Sequence, residues 1–356
     1  MTHPGRALTF LVSLLALAAV AAAQQPSGAP LEAQRGKPAL TADDVAAIKT
    51  WLSERVDAVG QGDAGSGEAL TQLRTAYDGT PAFKEAFAAA TIEAVRGKYK
   101  LLKTDGAARL LILVSTLGVA DGGSLLAEAL ADERAAARFS AAAGLRTLRP
   151  RLALAGGEYV SRALQALRDG GKKETSRRTL EIIYRAMSYA ELPSPPDPKP
   201  HAAALLDVLE SRAEQYAKLA VSAEGADVVG LETAAALKAG FSDEEKKRLA
   251  VVAAKMLRYA VWRYVAGDAP LSKVGVKATA ADNPLVDVRN ATELLIEEAE
   301  KRLVELTAPS NPIPNITEQM KKSADTTQMK IQMDAWATHL QRALGMDFRV
   351  PESDGR

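Results

Sequence analysis

The chain has 356 residues, with 45 Lys and Arg against 44 Asp and Glu, 47% hydrophobic and 5% aromatic residues, and no cysteine. These proportions describe a globular chain and exclude disordered, collagen-like and polytopic membrane classes. Without thiols there are no disulfide scaffolds, cysteine-ligated zinc sites, iron–sulfur clusters or thiol nucleophiles, and three histidines (His3, His201 and His339) leave little for imidazole chemistry.

Residues 1–23 carry the three parts of a secretory signal. Arg6 supplies the positive start, Ala7 to Val20 an apolar stretch without charge, and Ala21-Ala22-Ala23 the small-residue cleavage pattern before Gln24. The expectation is export to a periplasmic or extracellular location with the signal removed. Retention as an anchor is the alternative, because Ala7 to Ala23 is 17 residues, about the least that spans a bilayer. The longest later apolar run, Leu110 to Val114, is far too short, so the mature chain is not expected to span a membrane.

Residues 24–40 (QQPSGAPLEAQRGKPAL) read as a flexible linker. Thr41 with Asp44 three residues on predicts a capped helix start, followed at helical spacing by Val45, Ile48, Trp51, Leu52 and Val56. Gly60 to Gly67 interrupts that pattern. It resumes at Leu70, Leu73 and Tyr77, and again after Pro81 through Phe83, Phe87, Ile92 and Val95. Alternating Val, Ile and Thr runs are absent and helix-favouring Ala, Leu, Glu, Arg and Lys dominate, so the class is all-α.

Two proline-rich joints divide the remainder. The plan is a repeat region over 41–192, a linker at 193–200 (PSPPDPKP), a second helical region over 201–308, a linker at 309–316 and a C-terminal helix within 317–350. The pattern predicts helices over His201–Ala220, Ser242–Val265 (opened by a Ser242/Glu245 capping box), Pro284–Leu306 and Thr317–Leu344.

Three segments repeat one design: an Asp at a turn, an Arg a few residues later, then an apolar helix. They are Asp105 with Arg109, Asp132 with Arg138, and Asp169 with Arg178, the arginines 29 and 40 residues apart. Short amphipathic helices, SLLAEALA from Ser124 and YVSRALQALR from Tyr159, lie between them. In ALADERAAARFSAAAGL above all, residues 80–192 resemble bacterial HEAT-type repeats. The resemblance implies an α-solenoid of antiparallel helix hairpins with a helical C-terminal region. It also implies that Asp105, Arg109, Asp132, Arg138, Asp169 and Arg178 form structural ladders between repeats. The chain departs from the pattern in lacking turn prolines, in Ala137 before Arg138, and in an insertion in the third unit.

No catalytic signature is present: no phosphate-binding loop ending in Gly-Lys-Ser/Thr, no His-Glu-x-x-His, no Gly-x-Ser-x-Gly. Gly60-Gln-Gly62-Asp-Ala-Gly65 has dinucleotide-fingerprint spacing but follows a helix rather than a strand, so it reads as a loop. His201 reads as an exposed helix-end residue. No cofactor, metal ligand or catalytic residue is assigned.

Charge is unevenly distributed. Arg134 to Arg185 holds twelve Lys and Arg against four Asp and Glu, whereas Asp282 to Glu305 holds seven acids against three bases. Arg146, Arg149, Arg151, Lys172, Lys173 and Arg177 are therefore candidates for a basic face that attracts a protein or an anionic envelope polymer. The alternative is that they are structural or merely solvated. Nucleic acid is not expected as a partner of an exported chain. The leading expectation is an exported, non-catalytic interaction scaffold. The alternative is an envelope hydrolase of α/α-barrel type acting on polysaccharide, with Trp51, Trp262 or Trp336 facing two convergent acids.

Overall fold

Thr41 Oγ1 accepts the Asp44 N–H at 3.3 Å while the Asp44 carboxylate accepts the Thr41 N–H at 3.0 Å. The same reciprocal cap joins Ser242 and Glu245, at 3.3 and 2.8 Å. Each satisfies two backbone donors that a helix start leaves open. The computed structural model describes residues 31–62, 65–218, 224–266, 271–274, 285–313, 315–322 and 326–349. The expected signal peptide lies outside the described residues. Among those residues there are fifteen α-helices and no strand; the fold is all-α. No described helix is long and apolar enough to cross a membrane.

The chain forms two compact units, Met1–Gly106 and Ala107–Arg356. The first contains α1 (Glu32–Arg35), α2 (Ala42–Gln61), α3 (Ser66–Ala76) and α4 (Pro81–Lys98). Helix α2 packs on both α3 and α4, burying Ile48, Leu52 and Val56 against Leu73, Phe83 and Val95. Phe87 sits amid Trp51, Tyr77 and Phe83 at ring separations of 6.2, 5.9 and 5.6 Å. Residues 31–40, inside the stretch read as a flexible linker, are held. Leu31 is buried, and Thr80 donates its N–H to Arg35 O at 2.9 Å and its hydroxyl to Lys37 O at 2.6 Å.

Helix α5 (Thr104–Thr116) straddles the division. The second unit continues with α6 (Gly122–Ala129), α7 (Ala135–Ala155), α8 (Gly157–Gly171), α9 (Arg177–Met187), α10 (Pro198–Ala217), α11 (Glu224–Ala236), α12 (Asp243–Val265), α13 (Leu285–Thr307), α14 (Ile316–Lys322) and α15 (Thr326–Leu344). Its contacts follow a simple rule. Helices α6, α8, α10 and α12 touch in series, α7, α9, α11 and α13 touch in series, and consecutive helices from α6 to α11, and α12 with α13, touch across the two rows. Small residues set the spacing: Gly122 lies against Val114 and Leu148, and Gly144 against Leu126 and Ser115. At the end of the chain α15 packs on α12 and α14, and α14 on α13.

The proline-rich stretch at 193–200 lies within the second unit: Pro198 opens α10 with Asp197 capping the Lys199 N–H at 3.1 Å, and the serial contacts run on from α8 to α10 and from α9 to α11. Helix α11 lies outside the helices that the pattern predicts. Glu224, Gly225, Ala226, Asp227, Gly230, Leu231, Thr233 and Ala234 are buried, and the outer face of Val228, Val229, Glu232, Ala235 and Ala236 is itself mostly apolar, so polarity does not mark a helical period. Of the C-terminal stretch read as one helix over Thr317–Leu344, the described residues form α14 and α15, and residues 323–325 lie outside them.

Candidate interaction groove

Asp132, in the turn after α6, receives Arg134 through Nε at 2.8 Å and Nη2 at 2.7 Å. Arg138, one turn into α7, is drawn by the Asp132 charge as well as by Glu174. It donates to the backbone oxygens of Asp132 and Glu133 at 3.0 and 2.8 Å, and grips buried Glu174 at 2.7 and 3.0 Å. Burial opposes the Glu174 charge, but Arg138 and the N–H groups of Ser176 and Thr175 outweigh it and hold the carboxyl below its usual range. Arg138 of α7 is thus tied to Glu174, in the turn before α9. Asp169 instead accepts from Gln165 at 2.8 Å and Arg168 at 3.2 Å, Arg178 is exposed, and Asp105 and Arg109 are exposed on α5.

Above this link lies a groove of about 760 Å³ between α6 and α8. Its floor is small and apolar (Ala127, Leu130, Ala131, Ala166 and Gly170), and its rim carries Glu128, Asp132, Arg138, Arg162, Asp169 and Lys173. Arg162 crosses between the two helices to Ser124 Oγ at 2.9 Å and also holds Glu158 at 2.8 Å. Lys173 is exposed and has no ion-pair partner among the described residues. A second groove, of about 540 Å³, lies between α10 and α12, where Arg248 clasps Glu210 at 2.7 and 2.6 Å and Lys255 meets Glu214 at 2.5 Å.

The six candidates for a basic face are not one face. Lys173 lines the first groove, Lys172 lies 3.5 Å from Asp207, and Arg177 is bonded to Glu181 at 3.0 Å while covering Gly225. Arg146, Arg149 and Arg151 lie far along α7. Arg149 sits eleven residues past Arg138, about 16 Å at the α-helical rise. Arg149 is itself buried, donating to Arg185 O at 3.1 Å, to Ser188 O and to Glu191. Its role is structural.

The larger polar cluster escaped the sequence reading. Asp227 on α11 is fully buried and receives Arg212 Nη2 at 2.8 Å, Tyr184 at 2.8 Å and Tyr216 at 2.6 Å. Burial and the Asp227 charge push both tyrosine hydroxyls well above their ordinary pKa. Glu224 lies 3.3 Å from Arg263 and accepts from Tyr259 at 3.4 Å, with burial raising its pKa. His201 is buried as well, contrary to expectation. Its Nδ1 meets Met187 O at 2.8 Å, its ring lies 4.6 Å from that of Tyr189, and burial lowers its pKa.

The remaining candidates for chemistry are dispersed. Gly60 is a helical residue under Leu102 and Gly62 is the left-handed cap of α2, so the described part of the glycine string ends a helix. Trp336 is sealed in the core with its N–H on Glu300 at 3.0 Å, and Arg55 covers Trp51 at 3.9 Å. No group of three or more His, Asp or Glu that would hold a metal occurs among the described residues. Comparison of the chain with protein-family models, curated proteins and solved structures gives no match.

Proposed function

We propose that this protein is an exported α-solenoid of HEAT type that binds, without catalysis, an extended segment of a partner protein in the groove between α6 and α8. Hydrogen bonds at sequence separations of 36 (Arg138–Glu174), 38 (Arg162–Ser124 and Arg248–Glu210) and 43 residues (Tyr184–Asp227) support a repeating unit of that length. The groove itself carries the functional reading. It occurs where successive hairpins meet, it has the volume of an ordinary binding cleft, and its small apolar floor and mixed-charge rim suit a peptide better than a highly charged polymer.

A photo-reactive residue replacing Gln165 tests this in cells of origin. The expected result is one cross-linked protein, lost when Ala166→Trp fills the groove and absent when the probe replaces exposed Glu244. Cross-linking indifferent to Ala166→Trp removes the groove from the function. Release of reducing ends from envelope polysaccharide by the purified chain would replace the scaffold reading with the hydrolase.

A further inference from the structure

The outer stripe of α7 ends in Arg146, Thr147, Pro150, Arg151 and Leu154, at the spacing that places residues on one helix face. Arg146 is half-buried and Arg151 exposed, and Leu154 is 79% exposed although neighbouring Leu152 is in the core. Exposed Arg185 of α9 belongs to the same end, because its carbonyl accepts from Arg149. Glu191 is paired with Arg149, Glu158 with Arg162, and Glu181, one turn before Arg185, with Arg177, while Asp121 accepts from the Tyr159 hydroxyl. Arg146, Arg151 and Arg185 have no ion-pair partner among the described residues. Neither α7 arginine lies in the last turn, where the helix dipole would favour a cation.

We propose that Arg146, Arg151 and Leu154 of α7, with Arg185 of α9, dock the protein on an anionic lipid surface. The guanidinium groups would meet lipid phosphates and the leucine would enter the headgroup layer. A solitary exposed leucine is ordinary on a protein surface. Set among three unneutralised arginines, it gives the cationic and apolar composition of an interfacial contact. An acidic protein would use the arginines but would leave Leu154 without a role. The proposal is independent of the groove.

The test is co-sedimentation of the chain from Gln24 onward, which keeps the apolar N-terminal stretch out of the vesicles, after its circular dichroism has been matched to the full-length protein. Binding is expected to phosphatidylcholine vesicles containing roughly 30% phosphatidylglycerol and not to phosphatidylcholine alone. The Arg146→Glu, Arg151→Glu double variant should bind at least about tenfold more weakly, and Leu154→Ser about threefold more weakly, each with unchanged thermal unfolding. Absence of binding, equal binding to neutral vesicles, or binding indifferent to these substitutions overturns the proposal. So does a Leu154→Ser variant that binds anionic vesicles as the parent does while the parent binds soluble polyglutamate equally well.

Discussion

Arg212 and Asp227 form an ion pair hidden from solvent, closed by the hydroxyls of Tyr184 and Tyr216. It joins α9, α10 and α11 through one carboxylate. Burial opposes the Arg212 charge, but the Asp227 hydrogen bonds and charge prevail and raise its pKa. Asp227→Asn leaves a buried cation with half its compensation, and should cost about 3–5 kcal/mol in urea unfolding. Replacing the whole cluster by apolar residues, Arg212→Met and Asp227→Leu with Tyr184→Phe and Tyr216→Phe, should cost less than Asp227→Asn alone, because no buried donor is then left unpaired. A larger loss in the fourfold variant would refute this account.

Arg138→Gln should lower stability by about 2 kcal/mol at neutral pH, because Glu174 keeps its backbone donors but loses two charged ones. The folded-state pKa of Glu174 is depressed from 4.5, so its contribution is present above that pH and fades as pH falls below it. Melting temperatures of parent and variant should therefore converge on acidification. A gap that is constant down to acidic pH would mean that the charge on Glu174 is irrelevant.

His201 should make the α9–α10 joint acid-sensitive. Its folded pKa lies below 6.5 because of burial, so the unfolded chain takes up the proton first. Stability is present above 6.5 and is lost as pH falls from there through the folded value. The Met187 carbonyl and the Asp197 charge favour the charged ring but do not outweigh burial, and Arg149 lies 5.9 Å from the ring of Tyr189 that packs on His201. His201→Gln should flatten the stability profile between neutral and mildly acidic pH. Protease cleavage near Pro193–Pro200 that rises on acidification in the parent and not in the variant would be the local signature.

Gly240→Ala should destabilise the second unit by roughly 1–3 kcal/mol, because an added Cβ would stand 2.5 Å from the backbone oxygen of Pro198. Gly225→Ala should be milder, since the group in the way is the mobile end of Arg177. Chemical denaturation of the two variants in parallel checks the order. If Gly225→Ala costs more, the backbone at the α10 start yields more readily than the Arg177 side chain.

Local chemistry made part of this legible. Thr41 with Asp44 and Ser242 with Glu245 announce helix starts because each cap is complete within four residues. The α6–turn–α7 pair could be read because Asp132 and Arg138 bracket it, yet the partner of Arg138 proved to be Glu174, in an insertion that carries no mark of its role. His201 follows a proline run and reads as exposed, but residues 14 and 12 positions earlier, Met187 and Tyr189, cover it.

The linear chain by itself determined the helical class, two capped starts and the uneven charge. Folding alone decided which charges are used up: Arg149 and Arg212 are buried while Arg151 and Lys173 stay in water. The physical reason is range. Caps and amphipathic period arise within a few residues, whereas the partners of a buried charge come from outside the helix that carries it, 15 residues away for Arg212 with Asp227 and 42 for Arg149 with Glu191.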